Sequence, residues 1–452
     1  MKLMTPNGPM EVISVKPAGI HEVFDITVDE DASFLSANVF SHNSGSSNPN
    51  LQNQISRNKV RAKIVKRQFV ARKGRLIIKD DYGAHEVRGW GIASNDPKIG
   101  ETFWKGMQLR LRYEAQLTIP AVKVEWWAKQ LQAADVHYQN YGIIHKVDPL
   151  TVTKPQRDSI KSVIFGVTYG KGIPSLARDI GVDEAEAQRI HNLIFKKTFA
   201  VGGRWLETLQ ESAREHLVAK NLLGGTRHLW GHLHTERRVH GSEDRRTPNS
   251  VIQGPSSNLG FRGSYETRKL AWEMFESRDI NLDYAQCNAV HDSNESEGSI
   301  VNIPLLVYLR YHGATTMLHR WVRDVFDQTV IVGYEIDCEI GGSLATMMKS
   351  PRWDSQVAAI RAGIEWVNKE LGWDLDVEAY MKIVEHNAKI IHAIRRREIV
   401  RQLKAGEQTN FYMEMTADNC LSYDLIFTAP PEKVKSAVSK EPSKALMREL
   451  AR

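Results

Sequence analysis

The segment RLIIKDDYGAHEVR, residues 75–88, decides the fold. Arg75–Lys79 is a short apolar run of the kind that makes a buried strand, and Val87–Ile92 opens a helix. Asp81 stands between them, at the end of the strand, from which a carboxylate can serve a site. Far along the chain the same junction recurs: Tyr284–Val290 reads as a strand running into His291-Asp292, with Glu297–Ile303 as its return. Two aspartates at strand ends, Asp81 and Asp292, could converge on a pair of Mg²⁺ ions, hard cations that favour oxygen ligands.

Between the two aspartates, Arg157, Lys161, Phe165 and Tyr169 recur every four residues. Four residues turn a helix by about 400°, so the four side chains form one slowly drifting stripe. Cations suit a triphosphate and rings suit a base or sugar, so one helix could hold a nucleotide from end to end. The same spacing also fits an ordinary amphipathic helix with its rings in the core. Helical periodicity further predicts helices over Trp126–Ala134, Pro155–Tyr169, Asp183–Phe199, Trp205–Lys220, Ser256–Arg278 and Pro304–Phe326. Val330–Ile336 reads as a strand, and basic helices follow from Trp353. The pattern is that of an α+β protein.

Composition narrows the classes. Cys287, Cys338 and Cys420 lie far apart without CxxC spacing, which argues against a zinc cluster or a disulfide scaffold. No uncharged apolar run approaches the roughly 18–20 residues that span a bilayer, so no membrane partner and a cytoplasmic location are expected, the host's cytoplasm if the source is viral. Charge is uneven: residues 1–43 carry a net −4 and the remainder +10. From Arg57 to Arg75 nine basic residues occur with no acid until Asp80. Such a run fits a surface tracking a phosphate backbone or a solvated face. Residues 44–56, SGSSNPNLQNQIS, read as a loop between two compositional zones.

In this order, the residues resemble the palm and fingers of family A DNA polymerases over about 44–345. Asp81-Tyr82 followed by Glu86 and Arg88 resembles that family's motif A, and the stripe ending Phe165-Gly166-Val167-Thr168-Tyr169-Gly170 resembles its motif B. Val290-His291-Asp292 resembles motif C, and Ser47-Asn48-Pro49-Asn50-Leu51-Gln52-Asn53 is similar to the loop ahead of the palm. The resemblance implies a right-hand palm and fingers with an antiparallel palm sheet, template-directed DNA synthesis, and primer–template DNA and deoxynucleoside triphosphates as partners. It implies two Mg²⁺ ions held by Asp81, Asp292 and the carbonyl of Tyr82. Arg157, Lys161 and His137 would clamp the triphosphate, with Lys161 also a proton donor to pyrophosphate. Glu86 would crowd the ribose 2′ position, Phe165 would pack on the sugar and Tyr169 would stack near the templating base. Arg245, Asn249 and Gln253 would read the minor-groove edge of the new pair, and His291 would contact the primer end. Two departures stand out: Ser293 occupies the position of an auxiliary Glu, and Gly83-Ala84-His85 replaces the usual polar run. The thumb and proofreading parts of the family have no counterpart in these residues.

Immediately before the loop stand Ser41-His42-Asn43-Ser44. An asparagine amide can attack its own backbone carbonyl and cut the chain, with His42 assisting proton transfer. Val23-Phe24-Asp25-Ile26-Thr27-Val28, Ser33-Phe34-Leu35 and Ala37-Asn38-Val39 resemble the C-terminal part of an intein, and no N-terminal splicing block precedes them. The resemblance implies a small β-rich fragment of a split intein of the HINT type. A separate polypeptide would carry the matching N-terminal fragment and the N-terminal polymerase half. Ser44 would receive that half as an ester, and Asn43 would cyclise to release the fragment. The expected organisation is a split-intein fragment over 1–43, palm and fingers over 44–352 with fingers at about 105–235, and a helical extension over 353–452. Two other readings use the same residues: a catalytically silent DNA-binding remnant of a polymerase, and a simple β appendage at 1–43 that does not splice.

Overall fold

The computed structural model describes residues 59–290, 292–326, 332–406 and 412–430, together with four short strands nearer the amino terminus. Those strands make two hairpins: β1 (Lys2–Thr5) with β2 (Gly8–Glu11), and β3 (Ser33–Ser36) with β4 (Val39–His42). The run at 23–28 lies outside the described residues, as do Asn43, Ser44 and the loop at 47–53.

From α1 (Lys59–Arg67) the order is β5 (Arg75–Tyr82), α2 (His85–Ser94), α3 (Pro97–Glu114), α4 (Ala121–Ala133), α5 (Val136–His145), α6 (Lys154–Thr168), α7 (Ile173–Ile180), α8 (Glu184–His191) and α9 (Ala200–His216). A hairpin of β6 (Val218–Lys220) and β7 (Thr226–His228) leads into α10 (Arg237–Arg278). Then come β8 (Ala285–Val290), β9 (Ser293–Ser299), α11 (Ile303–Tyr311), α12 (Leu318–Phe326), β10 (Ile336–Gly341), β11 (Met348–Lys349), α13 (Trp353–Leu371), α14 (Val377–Ala405) and α15 (Ala417–Ser422). The protein is thus a helix-rich α+β fold, as expected.

Its centre is an antiparallel sheet in the order β11-β10-β5-β9-β8. β5 occupies the middle because its residues can be buried: Leu76 and Ile78 are fully enclosed, and α11 and α13 pack on the strand. Asp80, on that same buried side, would be costly alone. It is held by Arg310 of α11 through two hydrogen bonds of 2.8 and 2.5 Å, and Arg310 also donates to Ser264 of α10 at 2.6 Å. Two glycines permit this meeting. A side chain on Gly313 would come within 2.3 Å of Gly263, so α10 and the 303–326 helical segment touch backbone to backbone.

Several elements differ from the sequence expectation. The strand returning after Asp292 is Ser293–Ser299, not Glu297–Ile303. It is polar yet buried, because its groups find partners: Asn294 donates to the Gly260 carbonyl at 3.2 Å, Ser296 to that of Ile78 at 3.3 Å, and Glu297 accepts from Arg75 at 2.9 Å and pairs with Arg72. Of the strand expected at 330–336, the described residues 332–335 lie outside any strand and β10 starts at Ile336, where pairing with Tyr82 begins; the Tyr334 N–H is used by His319 at 3.2 Å. The helix expected through Lys220 stops at His216, since Leu217 takes a left-handed φ of 58° and β6 and β7 close around Asn221–Gly225. Between His191 and Phe199 the expected helix widens to a π-helical turn, in which the Phe199 N–H reaches the Ile194 carbonyl at 2.8 Å.

The basic runs also resolve. Arg67 pairs with Glu370, Arg72 and Arg75 with Glu297, and Arg75 with Asp283, so part of the 57–75 run binds the protein's own acids. Arg395, in the basic helices after Trp353, is buried: it pairs with Glu114 at 2.9 Å and lies 3.5 Å over the Tyr412 ring. With Ile360, Ile364, Val367 and Val384 fully buried, α13 and α14 share the core of the sheet.

Candidate active site

The register of the sheet brings Asp81 and Asp292 to one end of it. Asp81 lies opposite Ser293, and Asp292 is the residue immediately before. The Tyr82 N–H donates to the Asp292 carbonyl at 3.3 Å and ties the two strand ends together. On the other side of β5, Asp81 faces Asp337 of β10. Crowding by surrounding protein and the Asp292 charge push the Asp81 carboxyl up to about 7, with Lys79 opposing and Asp337 adding to the rise. Arg110 holds Asp337 at 2.8 Å and Glu335 at 3.2 Å.

A carboxyl raised by burial and by a neighbouring carboxylate is part of a donor set suited to a hard divalent cation, which relieves the repulsion. Among the described residues no three or more His, Cys, Asp or Glu side chains converge on such an ion. Two carboxylates are a donor set that leaves most positions about a Mg²⁺ ion to substrate oxygens and water.

Sequence reasoning did not identify what sets the turn after Asp81. Gly83 donates to the Glu335 carbonyl at 3.2 Å, and Ala84 sits at φ 50°, in the left-handed region. The buried Arg88 fastens this turn by donating to the Gly83 carbonyl at 2.7 Å, 4.1 Å over the Phe103 ring. An Arg at a fixed offset from Asp81 was visible in the sequence; its buried partners were not.

Across from the aspartates, α6 begins at a capping box of Thr153 and Gln156, with Pro155 in the first turn. Ile160, Val163, Ile164 and Val167 fill its core face, which leaves Arg157, Lys161, Phe165 and Tyr169 along the other. The Lys161 ammonium lies 5.3 Å from the centre of the Phe165 ring. Tyr169 neighbours Glu86 and Gln253, and Glu86 accepts from Gln253 at 2.7 Å. Burial raises the Glu86 carboxyl, with Gln253 opposing, Asp292 adding and Lys161 opposing. One neighbourhood therefore holds Asp81, Asp292, Glu86, Lys161, Tyr169 and Gln253.

The remaining expected residues stand as follows. The Arg157 guanidinium is held by Asp135 at 2.9 Å and Asp158 at 3.1 Å. His137 is fully enclosed, its ring 5.8 Å from that of Phe165, and burial drives its imidazole down to about 4, so it is neutral. Arg245, Asn249 and Gln253 are exposed at successive turns of α10. Arg245 reaches a cleft of about 630 Å³ lined also by Phe165, Tyr169, Gly170 and Lys171. His291, Asn43 and Ser44 lie outside the described residues, and His42 ends β4.

DNA polymerase I of Deinococcus radiodurans is 26% identical over 212 residues, 47% of this chain and 19% of that protein. The thermostable DNA polymerase I of Thermus filiformis is 26% identical over 214 residues, 47% of this chain and 22% of that protein. The chain thus spans about a fifth of the length of the curated relatives it matches. In fold it is similar to the POL domain of Pol1 from M. smegmatis, solved in complex with DNA primer-template and dNTP, with a TM-score of 0.51 and 19% identity over 66% of this chain and 45% of that one. The description of DNA polymerase family A matches residues 37–263, which include Asp81, the α6 stripe and Arg245–Gln253; Asp292 lies beyond them, joined to Asp81 by the sheet. The chain belongs to DNA polymerase family A.

Proposed function

We propose that this chain supplies the palm and fingers, over 44–352, of a template-directed DNA polymerase, with fingers at about 105–235 and a helical extension from 353. The observation that carries the reading is the meeting of Asp81 and Asp292 at one sheet end, facing Glu86, Lys161 and Tyr169. The substrates are primer–template DNA and deoxynucleoside triphosphates. Asp81, Asp292 and the Tyr82 carbonyl would hold two Mg²⁺ ions, which when bound would lower the pKa of the primer hydroxyl, so that its proton passes to water, and would neutralise the leaving pyrophosphate. The primer 3′ oxygen attacks the α-phosphorus as the bond to pyrophosphate breaks. Lys161 and Arg157 bind the triphosphate, Arg157 by exchanging Asp135 for phosphate, and Lys161 donates a proton to pyrophosphate. His137, fully enclosed beside Phe165, must be uncovered to join that clamp. Glu86 crowds the ribose 2′ position, Phe165 packs on the sugar, Tyr169 stacks by the templating base, Arg245, Asn249 and Gln253 follow the minor groove, and His291 meets the primer end.

Residues 1–43 are read as the C-terminal fragment of a split intein. Ser44 Oγ accepts the N-terminal polymerase half from a separate polypeptide, Asn43 cyclises with help from His42, and an oxygen-to-nitrogen shift completes the peptide bond. The support is the sequence around Asn43-Ser44 alone. Two measurements on protein from its native cells test the whole. Primer extension is expected, and DNA binding without extension would favour the silent-remnant reading. Mass spectrometry after Glu-C digestion should find Ser44 joined to a foreign sequence; an intact Asn43–Ser44 bond throughout would overturn splicing.

A further inference from the structure

An exposed aromatic pair stands outside the cleft. On β7 and the helical turn Trp230–Leu233 that follows, His228 and Trp230 stack with ring centres 5.1 Å apart and planes 1° from parallel. Trp230 is 62% exposed and Leu233 68%, although burying an indole is among the larger gains a side chain can make. Both stacked residues are exposed. The surroundings are cationic: residues 226–240 hold Arg227, Arg237 and Arg238 against a single acid, Glu236, and Arg227 and Arg238 are exposed.

The position of this pair is fixed with respect to the site. Gly231 fits against the buried Glu243 of α10 so closely that a side chain there would come within 2.6 Å. Two residues further along α10 begins the exposed series Arg245, Asn249 and Gln253, which ends at the hydrogen bond to Glu86. A polyanion following that helix away from the aspartates reaches the stacked pair. Exposed rings among arginines are what sequence-tolerant binding of unpaired nucleotides requires, since every base has a flat face.

We infer that Trp230 and His228 form a platform for single-stranded DNA, on which an unpaired base stacks. The inference rests on the polymerase reading for its ligand, and its test separates the two. Binding of labelled oligothymidylate to the full chain is measured by fluorescence anisotropy, with the strand about ten nucleotides long, within the span such sites cover. Trp230→Ala should weaken binding about tenfold and Trp230→Phe should restore most of it. An abasic strand of equal length should bind the wild type as weakly as oligothymidylate binds Trp230→Ala. Equal affinity of wild type and Trp230→Ala, or of abasic and normal strands, overturns the platform. Primer extension by the wild type reports on the polymerase reading independently, because Trp230 lies outside the cleft residues.

Discussion

Arg310 grips Asp80 with two hydrogen bonds, 2.8 and 2.5 Å long, one residue before the aspartate that meets Asp292 at the sheet end. Both side chains are almost completely enclosed, at 1% and 0% exposure. The pair fixes the central strand to α11 and, through Ser264, to α10, so the placement of Asp81 depends on it. Removing one partner leaves a bare charge in the core. Arg310→Met should therefore cost about 3–5 kcal/mol, read as a lower denaturant midpoint, whereas Asp80→Leu combined with Arg310→Met should recover most of the loss.

The Asp81 carboxyl, raised from 3.8 to about 7, makes the sheet end sensitive to pH. An acid whose folded value lies above its unfolded one keeps its proton longer in the folded chain. The share of stability that Asp81 contributes should fall as pH rises from about 4 to 7 and stay low above that, read as the difference between the wild type and Asp81→Asn at each pH. Asp81→Asn should remove this fall. In thermal melts at alkaline pH, Mg²⁺ should raise the melting temperature of the wild type and leave that of Asp81→Asn unmoved.

What was legible in the sequence was local. The strand from Arg75 and the four-residue stripe of α6 follow from an apolar run and from helical spacing; the strand runs on past Lys79 to Tyr82, so Asp81 lies among its last paired residues. β9 was misplaced because Ser293–Ser299 carries no apolar alternation; it is buried through partners such as Arg72 and Arg75, more than two hundred residues away. Arg110 with Asp337 and Arg395 with Glu114 escaped for the same reason, since ion pairs across the chain leave no mark on spacing. The π-helical turns at Asn192–Thr198 and His312–Met317 keep helical composition while changing the ladder, so periodicity passes over them.

The helices from Trp353 onward belong to the core, and mutation should show it. Ile364 on α13 and Ile78 on β5 are both fully buried in one cluster. Ile364→Ala and Ile78→Ala should each cost about 2–5 kcal/mol. Both variants should still unfold in a single transition by circular dichroism and tryptophan fluorescence; a separate early transition for Ile364→Ala would mean that α13 and α14 fold independently of the sheet.

The central claim is that Asp81 and Asp292 act together on nucleotide transfer, and single-nucleotide incorporation by Asp292→Ala in the assembled protein tests it most directly. The account predicts that incorporation falls by at least about a thousandfold while retention of primer–template DNA is unchanged, since the carboxylate serves the reacting phosphate and not the duplex. Incorporation persisting near the wild-type rate would contradict the assignment of the site.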